Sequence, residues 1–297
     1  MKLFHLPVFL ILVAATTVFA GEHQNTNLTV TPVNCGDGFS CERVVGNSKG
    51  NHELDCTVIL RDVLLFGTTY PVIAWANGWE QGNVLGQCVT DGYIPGLKNW
   101  AAAGPYIVVA ANAWSAGSPD VLQCLEYVVE SGKYPANNRA GLSGHSQGGG
   151  AVVKAGDGGK TGIDITATIP MNPYGPDWVD TGNQDGPMLL LGGDADTTTP
   201  VGSFISVWDE VQYSQPGSIL AVRLGGTHNN DAWGVNEDGS TMTCEDAASV
   251  DFGEFYGPAT TLWWDLHLNQ NENARGELEV LLGGADWCVS YPGFPNC

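Results

Sequence analysis

The sequence predicts an α/β fold, a mostly parallel twisted sheet with helices on both faces. Three observations predict it. From about Tyr70 onward, short apolar runs alternate with stretches of helical periodicity, as in a chain of strand, helix and strand repeats. The runs are apolar almost throughout, which suits strands covered on both sides. Hydrophobic residues make up 43% of the 297-residue chain and charged residues 14%, ample core material without a signature of disorder.

At the N-terminus, Lys2 precedes an apolar stretch from Leu6 to Ala20, with Val18 and Ala20 at the small-residue positions a signal peptidase reads. Residues 1–20 are therefore expected to be a signal peptide; the run falls short of the roughly 20 apolar residues a membrane span needs. Residues 21–297 are expected to form a single domain, secreted and extracellular. Export puts eight cysteines, Cys35, Cys41, Cys56, Cys88, Cys124, Cys244, Cys288 and Cys297, in an oxidising space where up to four disulfides are the default. Their connectivity stays open, and the absence of any C-x-x-C spacing argues against a structural zinc. Asn27-Leu28-Thr29 is a glycosylation acceptor pattern.

The polar, cysteine-containing segment 21–67 has no long periodic element and is read as antiparallel edge strands with disulfide-tied turns. Strands are predicted at Pro71 to Trp75, Tyr106 to Ala111, Arg139 to Ser143, Ala167 to Met171, Met188 to Leu191 and Ile219 to Leu224. Between them Val121, Leu122, Leu125, Val128 and Val129 recur at helical spacing behind Ser118 as N-cap, Pro119 and Asp120. A second helix after Pro200 would bury Phe204, Val207, Trp208 and Val211, and a third covers Ala259 to Leu268.

The sharpest motif is Gly144-His145-Ser146-Gln147-Gly148, a G-x-S-x-G pattern between a predicted strand and a small-residue run able to begin a helix. That context is the strand, sharp turn and helix of a nucleophile elbow, whose strained serine needs glycines two residues before and after it. A serine hydroxyl is a poor nucleophile unless a base within reach takes its proton and an acid orients the base. In such a layout these follow in the order acid, then histidine, each after a later strand. Gly192-Gly193-Asp194-Ala195-Asp196 and Gly225-Gly226-Thr227-His228 stand in those places. His228 is the base by elimination: His5 lies in the signal, His23 and His52 precede the sheet, His145 flanks the nucleophile with its side chain directed elsewhere, and His267 sits in the last predicted helix. Spacing leaves Asp194 and Asp196 both open as the acid. A calcium loop over them fails, because its sixth and twelfth positions hold Thr199 and Ile205.

Five stretches together resemble the α/β-hydrolase polyester hydrolases and cutinases of the bacterial type, with dienelactone-hydrolase-like and platelet-activating-factor-acetylhydrolase-like relatives. They are Pro71 to Trp79, Gly144 to Gly149, Ile169 to Tyr174, Gly192 to Val201 and Gly226 to His228. The resemblance implies an α/β-hydrolase fold and places the acid at Asp196. It implies an oxyanion hole from the backbone N–H groups of Trp79 and Gln147, a substrate-contacting aromatic at Tyr174, and a Cys288–Cys297 disulfide. The chain departs from the family pattern at Gln147, at the Gly-Trp oxyanion turn and in loops holding Cys88, Trp233 and Cys244.

The function expected is a secreted serine esterase, cutinase-like or polyesterase-like, with Ser146, His228 and Asp196 as its triad and an acyl-enzyme intermediate. No cofactor or metal is called for. A lipase or acylglycerol hydrolase is the alternative of the same chemistry, and a catalytically silent hydrolase fold used for binding is the alternative of a different class. Ten tryptophans are many for this length. Trp79, Trp114, Trp178 and Trp233 fall on loops where the triad converges, and Trp79 and Trp233 are expected to contact substrate with Tyr174. Trp75, Trp208, Trp263 and Trp264 are expected to be core. A formal charge of −21 repels phosphate backbones and anionic lipid, so nucleic acid is excluded as a partner. Neutral, apolar or aromatic esters, polymeric ones included, are the expected partners of a monomer.

Overall fold

The computed structural model describes residues 28–47, 53–65, 67–78, 93–112, 117–156, 161–175, 185–203, 205–228 and 256–290. Its strands are β1 (Thr29–Val33), β2 (Phe39–Asn47), β3 (Glu53–Arg61), β4 (Tyr70–Ala76), β5 (Ile107–Ala111), β6 (Ala136–His145), β7 (Asp164–Met171), β8 (Leu189–Gly193), β9 (Ile219–Arg223) and β10 (Trp287–Ser290). The helices are α1 (Ile94–Ala103), α2 (Ser118–Glu130), α3 (Gln147–Ala155), α4 (Ile205–Ser214), α5 (Gly257–His267) and α6 (Asn273–Leu282). All ten strands join one sheet in the order β1-β2-β3-β5-β4-β6-β7-β8-β9-β10.

The strands from β5 to β9 run parallel, while β1, β2 and β3 form an antiparallel edge and β10 closes the other edge antiparallel to β9. This is an α/β-hydrolase sheet. From β4 the chain steps outward to β5, then returns past β4 to β6, so the strand order reverses between β4 and β6. At such a switch point the loops leaving the carboxyl ends of neighbouring strands diverge and open a crevice.

Strand periodicity sorts the core into two faces. Ile73 and Trp75 of β4 pack with Leu97 and Trp100 of α1, Trp263 and Trp264 of α5, and Leu278 of α6. The alternate residues Val72, Ala74 and Ala76 pack with Val121, Leu125 and Val128 of α2 and Val152 of α3. Further along that second face, Val207, Trp208 and Val211 of α4 cover Leu190 and Leu220. Trp75, Trp100 and Trp264 meet edge-on with centroids 5.7 and 5.9 Å apart, and Trp100 Nε1 donates to Thr260 Oγ1 at 2.9 Å. Gly141 in β6 leaves the space the Trp264 ring fills, since a Cβ there would overlap it.

The four tryptophans expected in the core are buried. Differences from expectation lie at element ends and in short pieces. Gly117, not Ser118, caps α2, and the Asp120 carboxylate accepts the Gly117 N–H at 2.7 Å. Helices α1 and α6 and strand β10 were not anticipated. Ala274, Leu278 and Leu282 form only a narrow buried stripe on an otherwise polar α6, and β10 has four residues, too few for a period to register. Phe204 lies outside the described residues.

Two disulfides tie the first edge: Cys35–Cys41, and Cys56–Cys124 between β3 and α2. The second closes a 68-residue separation, worth about 4 kcal/mol of lost unfolded-chain entropy. Cys288 is also disulfide-bonded. Cys88, Cys244, Cys297, Asn27 and the signal-like segment lie outside the described residues.

His267, at the end of α5, carries a consequence for pH. Its ring lies 4.2 Å from Trp263, and Arg139 donates to its carbonyl at 2.7 Å. Burial, reinforced by Arg275 and Arg139, lowers its pKa from the usual 6.5 to about 4. Between those values the unfolded chain binds a proton that the folded chain refuses, so stability present above pH 6.5 is lost as pH falls towards 4. Thermal melts across that window should show a shallower fall in His267→Gln than in the parent; equal slopes would remove His267 from the acid response.

Candidate active site

Ser146 sits between the last residue of β6 and the first of α3, with φ 53° and ψ −120°. A serine in that conformation is strained by roughly 1–3 kcal/mol, held in place by its surroundings. Its N–H donates to the Met171 carbonyl at 2.9 Å, and its own carbonyl accepts from Tyr174 at 2.7 Å and Gly150 at 3.1 Å. The flanking glycines are required by contact: a Cβ at Gly144 would overlap the Gly148 carbonyl, and one at Gly148 the Ala76 carbonyl. The turn therefore stands backbone to backbone against the end of β4, at the point where the strand order reverses.

The structure brings together Ser146, His228 and Asp196. His228 Nε2 lies 3.0 Å from Ser146 Oγ, and His228 Nδ1 lies 2.8 Å from Asp196 Oδ2. The Asp196 side chain is fully buried, while 13% of the His228 side chain stays exposed at the cleft. Burial alone would raise the Asp196 pKa, but hydrogen bonds from His228, the Thr199 hydroxyl and the Thr199 N–H together hold it below the usual carboxylate range. It is a carboxylate at neutral pH. Since Asp196 Oδ2 accepts from His228 Nδ1, the neutral ring presents Nε2 as an acceptor to the serine hydroxyl.

Asp194 serves the loop instead. Its carboxylate accepts the Gly225 N–H at 2.6 Å, and Ala195 donates to the Gly226 carbonyl at 2.9 Å, so the loops after β8 and β9 are joined. A Cβ at Gly193 would overlap the Gly226 carbonyl, which is why glycine precedes the acid.

Three residues of the site were not singled out for it from the sequence. Thr199 Oγ1 donates to Asp196 Oδ2 at 2.7 Å and lies 3.0 Å from both His228 Nδ1 and the Asn172 carbonyl. Asn172, at φ 41°, donates its amide to the His228 carbonyl at 3.1 Å. His145 was expected to point elsewhere; its ring joins the site from behind the base, Nε2 donating to the same His228 carbonyl at 2.8 Å. Only the Asp196-x-x-Thr199 spacing hinted at any of this, as an Asx-type turn in which Thr198 and Thr199 N–H both donate to Asp196 Oδ1 at 2.8 Å.

Gln147 is the first residue of α3, and the first intrahelical bond of that turn comes from Gly150 to Ser146. N–H groups of a helix's first turn point along its positive end. Tyr174 follows β7 and is 48% exposed. Trp79, Trp114, Trp178 and Trp233 lie outside the described residues.

The sequence matches no protein-family profile and no curated protein. Among solved structures the chain is similar to acetyl xylan esterase 1 from Thermoanaerobacterium sp. JW/SL YS485, with 12% identity and a TM-score of 0.44 over 69% of this chain and 83% of that one. It is also similar to an acetyl xylan esterase from Paenibacillus sp. R4, with 13% identity and a TM-score of 0.45 over 69% and 84%. Likeness this distant carries no weight for reaction or substrate, and the chain's own geometry has to supply both.

Proposed function

We propose that the protein is a secreted serine carboxylic-ester hydrolase working through an acyl-enzyme. The observation that carries this is the continuous hydrogen-bond sequence from Ser146 Oγ through His228 to the buried Asp196 carboxylate. Ser146 Oγ attacks the ester carbonyl carbon as His228 Nε2 takes the hydroxyl proton, and the Asp196 carboxylate stabilises the imidazolium. The oxyanion is held by the backbone N–H groups of Gln147 and Trp79. Collapse expels the alcohol, which leaves with the proton from His228. Water then attacks the acyl carbon, passes a proton to His228, and frees the acid as Ser146 is reprotonated.

A cutinase-like or polyesterase-like preference is the finer reading. It is supported by the exposed Tyr174, whose backbone N–H donates to the Ser146 carbonyl, and by a formal charge of −21 that favours neutral esters and expels a carboxylate product. Trp79 and Trp233 complete the proposed substrate contacts, and Cys288–Cys297 the proposed C-terminal disulfide. The two disulfides of the first edge support export.

The test is covalent labelling by a fluorophosphonate ester, read as a mass increase on the parent and none on Ser146→Ala. A parent that neither labels nor hydrolyses a short nitrophenyl ester overturns the reading. Thr199→Val adds a finer check, because it keeps the side-chain shape and deletes the hydroxyl bonded to Asp196. One hydrogen bond to a charged acceptor is worth about 1.5 kcal/mol, so kcat should fall on the order of tenfold at unchanged KM. Full activity in that variant would show that Asp196 positions His228 unaided.

A further inference from the structure

The His228 carbonyl accepts two hydrogen bonds, from His145 Nε2 at 2.8 Å and from the Asn172 amide at 3.1 Å. A carbonyl can only accept, so Nε2 of His145 carries the proton and the neutral ring leaves Nδ1 as an acceptor. Nδ1 faces the Tyr93 hydroxyl at 3.4 Å, and that hydroxyl also accepts the Gly78 N–H at 3.4 Å. The bonds therefore run in one direction: Gly78 N–H to Tyr93 Oη, Tyr93 O–H to His145 Nδ1, and His145 Nε2–H to the His228 carbonyl.

The two ends matter. Gly78 precedes Trp79, whose N–H the proposed function assigns to the oxyanion, and His228 is the proposed base. Packing supports the same link, since a Cβ at Gly78 would stand 3.0 Å from Ser146 Cβ and 3.4 Å from His145 Nδ1. The imidazoles of His145 and His228 lie 4.8 Å apart. Burial, with His228 beside it, lowers the His145 pKa to about 3, which keeps the ring neutral as the chain of donors requires.

We infer that His145 is a positioning residue, which with Tyr93 couples the oxyanion turn at Gly78 to the His228 backbone so that base and oxyanion donor keep one spacing about Ser146. This rests on the esterase reading. The bond to His228 is short, at 2.8 Å, and those at Tyr93 are long, at 3.4 Å.

The experiment compares His145→Leu, His145→Gln, Tyr93→Phe and the double variant His145→Leu/Tyr93→Phe by kcat, KM and melting temperature on a short nitrophenyl ester. Misplacement of a reacting group costs on the order of 10²-fold in rate, so His145→Leu should lose about that in kcat with KM nearly unchanged. His145→Gln, whose amide can still donate to the carbonyl, should recover to within about tenfold of the parent. Tyr93→Phe should slow the enzyme severalfold and add little to His145→Leu, because the path is already cut.

Equal losses in the leucine and glutamine variants, or losses that follow melting temperature, would reduce His145 to a packing residue. Multiplicative effects of the two positions would break the link to Tyr93. Nitrogen-15 spectra give a readout independent of turnover: His145 should be the neutral Nε2–H tautomer across the neutral pH range, and an Nδ1–H tautomer overturns the inference. Failure of the parent to label with fluorophosphonate sinks the esterase reading itself; a labelled parent with indifferent His145 variants sinks only this one.

Discussion

Ser146→Ala is expected to lower kcat for a short nitrophenyl ester by about 10⁶, with little change in KM, when the nucleophile of a serine hydrolase triad is removed. Alanine retains the backbone position and the helix that follows, so the proposed oxyanion donor at Gln147 and the His228 ring stay in place. What disappears is the only atom that can form the acyl bond. The thermal melt should stay close to that of the parent, because among the described residues Ser146 Oγ contributes a single part-buried hydrogen bond, to His228 at 3.0 Å, while the backbone strain at φ 53° remains. The measurement is steady-state hydrolysis beside intact mass after fluorophosphonate treatment. A variant that keeps more than a hundredth of the parent rate would remove Ser146 as nucleophile.

Asp196→Asn should cost on the order of 10⁴ in kcat while leaving the fold in place. The cause lies in which oxygen each donor uses. Oδ1 accepts the Thr198 and Thr199 N–H groups, both at 2.8 Å, and Oδ2 accepts His228 Nδ1 at 2.8 Å and the Thr199 hydroxyl at 2.7 Å. An asparagine has one oxygen, and the two backbone donors require it in the Oδ1 place. Its NH₂ group then faces His228 Nδ1, which must become an acceptor. The proton moves to Nε2, the atom that has to receive the serine proton, and the base is blocked. Nitrogen-15 spectra of His228 should show Nδ1–H in the parent and Nε2–H in Asp196→Asn; an unchanged tautomer with a large rate loss would refute this account.

The parallel sheet was legible because strands buried on both faces spell continuous apolar runs, from Tyr70 in β4 to Arg223 in β9. The nucleophile turn was legible because the strained serine and its close approach to β4 leave room only for glycine at positions 144 and 148, a demand written into the sequence as G-x-S-x-G. Helix α6 and strand β10 were not, since one buries a narrow stripe and the other, at four residues, is too short for its alternation to register. Spacing also left Asp194 and Asp196 unresolved, two residues apart with the same chemistry; what separates them is that Gly225 binds the first and His228 the second.

From the sequence alone came the sheet, the position of the serine elbow and the order in which acid and base follow it. These depend on local periodicity and on backbone demands that glycine answers. Tertiary structure decided the rest of the site: the Thr199 hydroxyl on Asp196, the Asn172 amide and His145 ring on the His228 carbonyl, and Tyr93 between His145 and Gly78. Those pairs join residues brought together by the reversal of strand order and by loops zipped across neighbouring strands. A hydrogen bond needs its donor and acceptor within about 3 Å in space, a condition on which separation along the chain is silent.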